Sequence, residues 1–217
     1  MQRFLERATN FFDIPLDIRS RVLVLVAGLL LLPTFFTPIW KITFQSPRYP
    51  DGLTLKVYAH TMEGGRQNDL LEINALNYYL GMRSLDEERF LQFRWFPFMI
   101  GAVILLALRA VVIGKMSKLV DLFFLVTYAG LFAVWSFANT LYAYGHTLHQ
   151  GAAVQIEPFT PPMIGTVTVA NVTVGASPQF GAFLFVAVPI VLLSAILLSR
   201  TAYRNEHLPT KDYIRTT

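Results

Sequence analysis

Four long apolar runs alternate with polar stretches along the chain. The first, over 22–40, reads VLVLVAGLLLLPTFFTPIW, and the others cover 95–113, 119–144 and 181–199. Each is close to the roughly 20 helical residues that cross a hydrocarbon core of about 30 Å. In lipid the backbone must satisfy its own polar groups, so the pattern predicts four transmembrane helices. None of the runs alternates in the manner of a barrel strand. Pro33, Pro38, Pro97 and Pro189 lie in or near the ends of these runs and predict kinks, because each removes a backbone donor. The first run ends in Thr-Pro-Ile-Trp-Lys rather than a small-residue cleavage site, which predicts a retained helix rather than a signal peptide.

The connection over 41–94 is too long to be a plain linker. Its start, Ser46-Pro47-Arg48-Tyr49-Pro50-Asp51-Gly52, is dense in turn formers. Leu53, Leu55, Val57 and Ala59 then alternate with Thr54, Lys56, Tyr58 and His60, the period of a half-buried strand. Glu63-Gly64-Gly65 predicts a turn, 69–80 a short helix, and Gly81 its stop. Ser84-Leu85-Asp86-Glu87 matches a capping box, which predicts a new helix running from there into the second span. The connection over 145–180 is rich in Gly, Pro, Thr and Val, and its segment 166–174, TVTVANVTV, reads as one strand. An exposed apolar strand edge is an aggregation hazard, so the strands of the two connections are expected to pack into one small cap.

The expected fold class is therefore mainly α: a polytopic membrane protein of four transmembrane helices with a small α/β extracytoplasmic cap. Its layout is an N-terminal segment 1–21, spans 22–40, 95–113, 119–144 and 181–199, loops 41–94 and 145–180, a turn 114–118 and a tail 200–217. Composition supports this. Apolar residues make up 54% of the chain and charged residues 15%, against about 25% charged in soluble domains, and mean hydropathy is +0.47. These values argue against a disordered chain or a soluble enzyme domain. The absence of Cys excludes a disulfide-stapled module, thiolate metal sites and c-type haem attachment.

Charge sets the expected orientation. Eleven of the 18 Lys and Arg fall in the N-terminal segment, the turn 114–118 with Arg109, and the tail; the other seven all lie between Lys41 and Arg94. The positive-inside rule then places both termini on the cytoplasmic side of the membrane. Trp40, Trp95, Tyr142 and Tyr144 fall at the outer ends of spans, where amphipathic rings favour the headgroup region. Phe4, Leu5, Phe11, Phe12 and Ile14, set among Arg and Glu, are compatible with a short amphipathic helix on the inner surface. The net charge of +4 follows from the same bias, so it gives no argument for nucleic acid.

Candidate chemistry lies on the outer side. On a continued strand His60 and Met62 share a face, and an imidazole beside a thioether suits copper. His146 and His149 lie three apart and share a helical face if the third helix continues past Gly145. Met82 and Met163 are further soft donors. Against this, a lone interfacial His is commonly a solvated polar residue, and Met commonly fills core gaps. Arg109 and Asp121 flank the inner turn and are expected to form a structural ion pair across the hairpin. Thr127, Ser136, Asn139, Thr140 and Gly130 on the third span suit helix–helix contact. Asp86, Glu87 and Glu88 are explained by helix capping. No phosphate-binding glycine loop, G-x-S-x-G or H-E-x-x-H is present.

The stretches Tyr49-Pro50-Asp51-Gly52-Leu53, Glu72-Ile73-Asn74-Ala75-Leu76-Asn77-Tyr78-Tyr79-Leu80-Gly81-Met82, Gly145-His146 and Pro158-Phe159-Thr160-Pro161-Pro162-Met163-Ile164-Gly165 resemble a group of small uncharacterised four-span bacterial membrane proteins. Members are often encoded near nitrous-oxide reductase maturation and copper-handling proteins, which implies a role at the outer face in respiratory copper enzymes. The group often has His where this chain has Tyr78, and Asp-Pro where it has His149-Gln150, so a metal site here would have to use His60 or His149. The leading expectation is a non-catalytic membrane subunit or assembly factor of a respiratory or photosynthetic complex. Its expected partners are the lipid bilayer and other membrane subunits. The alternative is a copper-handling protein using His60, Met62, His146 and His149.

Overall fold

The computed structural model describes residues 11–149 and 151–207, with side chains through 205. Its elements are α1 (Ile18–Leu29), a 3-10 turn (Leu32–Phe35), β1 (Trp40–Ser46), β2 (Tyr49–Val57), β3 (Met62–Gly64), α2 (Asp69–Tyr79), a 3-10 turn (Glu87–Arg89), α3 (Gln92–Ile113), α4 (Met116–His146), β4 (Gly165–Val169), β5 (Val172–Pro178) and α5 (Phe180–His207). Four segments, Ile18–Phe35, Gln92–Ile113, Met116–His146 and Phe180–Asn205, are long and apolar enough to cross a membrane. The five strands form one small antiparallel sheet in the order β3-β2-β1-β5-β4.

The chain divides into two compact units. One takes Met1–Leu30, Gly101–Tyr128 and Val186–Thr217; the other takes Leu31–Ile100 and Ala129–Phe185. In the first, purely helical packing buries Val24, Ala27, Ala107, Leu119, Val188, Leu192 and Ala195. Small residues permit close approach: a β-carbon on Gly28 would lie 3.2 Å from the Ala107 β-carbon. The buried Ser20 hydroxyl donates to the Ala195 carbonyl at 3.0 Å. The segment before α1 clamps the α3–α4 turn. Leu16 N–H donates to the Gly114 carbonyl at 2.8 Å, Met116 N–H donates to Ile14 at 2.9 Å, and Lys115 pairs with Asp13 at 3.7 Å. Gly114 takes φ +64°, and the Arg21 guanidinium fills the space where a β-carbon would project.

The second unit holds the sheet. Cross-strand partners point to the same face, so Leu53, Phe44 and Val174 form one inward row, and Leu55, Ile42 and Ala176 form the next. Ile73, Leu80 and Met82 from α2 and its exit share this core. The buried Asp69 carboxylate, at the first turn of α2, accepts from Thr54 N–H at 3.1 Å and Arg66 N–H at 3.0 Å, tying the helix start to β2. Gly81, at φ +73°, ends the helix.

Several elements differ from the pattern-based expectation. The first apolar run is not one helix over 22–40. Pro33 cannot donate to the Leu29 carbonyl, so α1 stops there, and Trp40 already opens β1. Tyr49-Pro50-Asp51-Gly52 belongs to β2; the turn is the tighter Pro47-Arg48, and a bulge carries Gly52 at φ +72°. The 166–174 segment is a hairpin rather than one strand. It reverses at Ala170-Asn171, where Ala170 takes φ +50°, and Val169 pairs with Val172. The Asp86 side chain, rather than Ser84, caps the turn Glu87–Arg89 by accepting from Glu88 N–H, and α3 begins later at Gln92. Asn74 holds that connection instead, donating to the Leu85 carbonyl at 3.1 Å and accepting from its N–H at 2.7 Å. The amphipathic reading of Phe4 and Leu5 lies outside the described residues.

Candidate functional site

The second unit encloses a partly open cavity of about 110 Å³. Its floor is the inward face of the sheet, with Ile42, Phe44, Leu55 and Val174. Its walls are Met82, Phe90 and Phe93, the α4 residues Phe137, Leu141 and Tyr144, and Phe159 with Pro161 from the connection after α4. Gln92, Thr140 and Tyr144 also border it, but only through apolar atoms, so the wall is wholly apolar. The Gln92 amide nitrogen uses both its hydrogens, donating to Ser136 Oγ at 3.0 Å and Thr140 Oγ1 at 2.7 Å. The Tyr144 hydroxyl is different. It is buried and has no hydrogen-bond partner among the described residues, a condition that costs about 1–3 kcal/mol.

The α4 residues at this site are positioned by a helix that ends two residues beyond Tyr144. α4 stops at His146, and Gly145 is the point where the following connection folds back, with Phe159 N–H donating to the Gly145 carbonyl at 3.2 Å. Trp40, at the start of β1, packs its ring 5.3 Å from Phe137 and donates its indole N–H to the Met163 carbonyl at 2.8 Å. The cavity is thus built from five separate stretches of chain. Ser136 and Thr140 were recognisable as polar positions on an apolar helix; Phe90, Phe93, Tyr144 and Phe159 give no pattern that sets them apart from ordinary span or loop residues.

The soft-donor residues occupy different surroundings. β2 ends at Val57, and Tyr58 N–H donates to the Thr61 carbonyl at 2.8 Å, closing a hairpin turn with Ala59 and His60 at its tip. The strand does not continue through His60 and Met62, so their same-face spacing does not apply. His60 is exposed, whereas Met62 pairs opposite Val57 and is buried in the core. His146 stacks on the Tyr142 ring at 3.9 Å, with its Nδ1 2.9 Å from the Tyr142 carbonyl. The helix ends there, so His149 is exposed in the connection rather than one turn further along, and its N–H donates to Gly81 at 2.8 Å. Met82 is buried. Among the described residues no group of three or more His, Cys, Asp or Glu is placed to hold a metal ion.

Asp121 pairs with Lys118 at 3.1 Å, three residues earlier on α4, in place of the expected Arg109. A partner one turn away on the same helix needs no reach across the hairpin, and Arg109 is exposed beside them in a shallow cleft. On α4, Thr127 returns its hydroxyl to the Phe123 carbonyl, while Gly130 and Asn139 lie on the exposed side. The carboxylates of Asp86, Glu87 and Glu88 are exposed, and Glu87 accepts from the Thr61 hydroxyl.

No protein-family model matches this chain, and no curated protein matches it.

Proposed function

We propose that this protein is a non-catalytic integral membrane subunit, an accessory or assembly factor of a bacterial redox or energy-converting complex. The observation that carries the proposal is the bare face of α4. Only 11% of its most apolar stretch is buried within the chain, the smallest share of the four spans. Phe124, Tyr128, Leu131, Trp135 and Tyr142 follow one another at helical spacing along that face, all exposed. Asn139 lies among them, exposed and without a hydrogen-bond partner among the described residues. Lipid covers aromatic side chains well but offers an amide nothing, whereas a polar group on a neighbouring helix satisfies it.

In this reading the four spans lie in the inner membrane, the sheet faces outward and the α3–α4 turn faces the cytoplasm. The uneven distribution of Lys and Arg supports that direction, as does the gathering of Arg21, Lys115 and Lys118 at one end of the first unit. The resemblance to membrane proteins encoded near copper-enzyme maturation factors points to a respiratory partner. Copper handling by the chain itself has less support, because Met62 and Met82 are enclosed in the core. Extraction from native membranes in mild detergent tests the proposal. A larger assembly that co-purifies membrane subunits and dissociates when Asn139 and Trp135 are replaced by Leu is the expected result. A monodisperse monomer without partners overturns it.

A further inference from the structure

We infer that the cleft between α3 and α4, near their connecting turn, binds the phosphodiester head of an anionic phospholipid through Arg109 and Lys118. The charged residues of the cleft are Arg109 from α3 and Lys118 and Asp121 from α4, and Leu106 and Leu125 continue it away from the turn. Lys118 donates to the Asp121 carboxylate at 3.1 Å, so these two charges cancel, and the ammonium keeps two further hydrogens. Arg109 is exposed and has no hydrogen bond or ion pair among the described residues. Its guanidinium offers five donors in a planar fork that matches a phosphate. The cleft is therefore left with one uncompensated positive charge, which a single phosphodiester balances. A zwitterionic head brings its own ammonium and leaves that charge standing.

Depth and the apolar lining favour a lipid as the source of the phosphate. Arg109 stands four residues before the end of α3 and Lys118 two residues after the start of α4, so both lie within about 6 Å of the turn along the helix axes. In the membrane reading given under Proposed function, on which this placement rests, that is the headgroup level of the cytoplasmic leaflet. A charged side chain there pairs with an anion or reaches for the phosphates, and basic pockets between spans on that side take anionic headgroups. Leu106 and Leu125, both exposed, give an acyl chain an apolar track below the charges. A free phosphate or a protein carboxylate would meet the same cations but make no use of those leucines.

The test titrates full-length protein in a neutral maltoside detergent with palmitoyl-oleoyl phosphatidylglycerol and counts retained lipid by native mass spectrometry. Phosphatidylethanolamine of the same chains and inorganic phosphate are the comparison ligands. One phosphatidylglycerol, retained in preference to phosphatidylethanolamine and not displaced by phosphate, is expected. Arg109→Gln should weaken it about tenfold or more, the loss of a charged hydrogen bond, and Arg109→Lys should recover part of that loss. Lys118→Gln, which leaves Asp121 to oppose the phosphate, should also weaken it. Asp121→Asn should tighten it by freeing the Lys118 ammonium. Lys115→Gln, a cation of the same turn that pairs with Asp13 outside the cleft, should leave it unchanged. Should Arg109→Gln melt early in detergent, Leu106→Glu is the second variant; its carboxylate, one turn from Arg109, should abolish the preference. Equal retention of the two lipids, or an equal loss with Lys115→Gln, reduces the effect to a diffuse basic surface and overturns the site. Displacement by inorganic phosphate at concentrations comparable to the lipid overturns the lipid assignment. Unchanged lipid retention in Arg109→Gln, with a co-purifying subunit lost instead, gives Arg109 to a protein carboxylate and overturns it too. Lipid retention is read on the isolated chain, so its failure is distinguishable from a failure of the co-purification that tests the proposed function.

Discussion

Phe159 N–H donates to the Gly145 carbonyl at 3.2 Å, and the Phe159 carbonyl returns so close to the Gly145 α-carbon that no β-carbon fits between them. A backbone atom cannot swing aside as a side chain does. Gly145→Ala must therefore push the connection off the end of α4, and with it Phe159 and Pro161, which wall the cavity. Overpacking of this kind costs about 1–3 kcal/mol, so thermal unfolding in detergent should begin several degrees lower. Ala at the exposed Gly130, which meets nothing within 4 Å, should be neutral or slightly stabilising.

Asp69 makes a second test of the sheet unit. Its buried carboxylate serves the amides of Thr54 and Arg66. Asp69→Ala leaves both donors without their acceptor and should cost about 2–3 kcal/mol. Asp69→Asn keeps one carbonyl oxygen in place and should lose less. Urea unfolding followed by β-sheet circular dichroism separates the two variants.

Gln92 joins α3 to α4 through Ser136 and Thr140. Interhelical hydrogen bonds in lipid are worth about 0.6–2 kcal/mol. Gln92→Leu should therefore reduce stability by about that amount, and Gln92→Glu should reduce it further because a carboxylate cannot donate to both hydroxyls. Melting in the same detergent checks the order.

The chain has no Cys, so single cysteines report topology without background. Arg48→Cys in the β1–β2 turn and Asn171→Cys in the β4–β5 turn should react with an impermeant maleimide in intact cells. Ser117→Cys, beside the α3–α4 turn, should react only after permeabilisation. Labelling of position 48 or 171 only after permeabilisation would reverse the proposed orientation.

What the sequence made legible, and what it hid, has a physical basis. Leu53, Leu55 and Val57 show their period of two because only one face of β2 is buried. Gly81 marks a helix stop because few other residues take φ +73° readily. β1 was hidden because it opens at Trp40, inside the apolar run, and only Ile42 and Phe44 alternate after Lys41 before the turn formers begin. The hairpin at Ala170-Asn171 was hidden because its turn lacks the glycine that usually announces a reversal. The His60–Met62 pairing failed for a related reason: spacing by two holds on a strand and not around its turn. Of the cavity's lining only Thr140 stood out, as a hydroxyl on an apolar helix; the aromatic walls Phe90, Phe93 and Phe159 have no local signature.

The central pair of the sheet, β1 against β5, joins residues 40–46 to residues 172–178. A ribosome adding about 5–20 residues per second needs roughly 6–25 s to travel between them. During that interval the first hairpin is already made, yet the hydrogen-bonding edge of β1 has no strand to receive. The newborn protein therefore carries an open seam until α5 is about to be synthesised, and whatever shields that seam in the meantime is part of how the sheet comes into being.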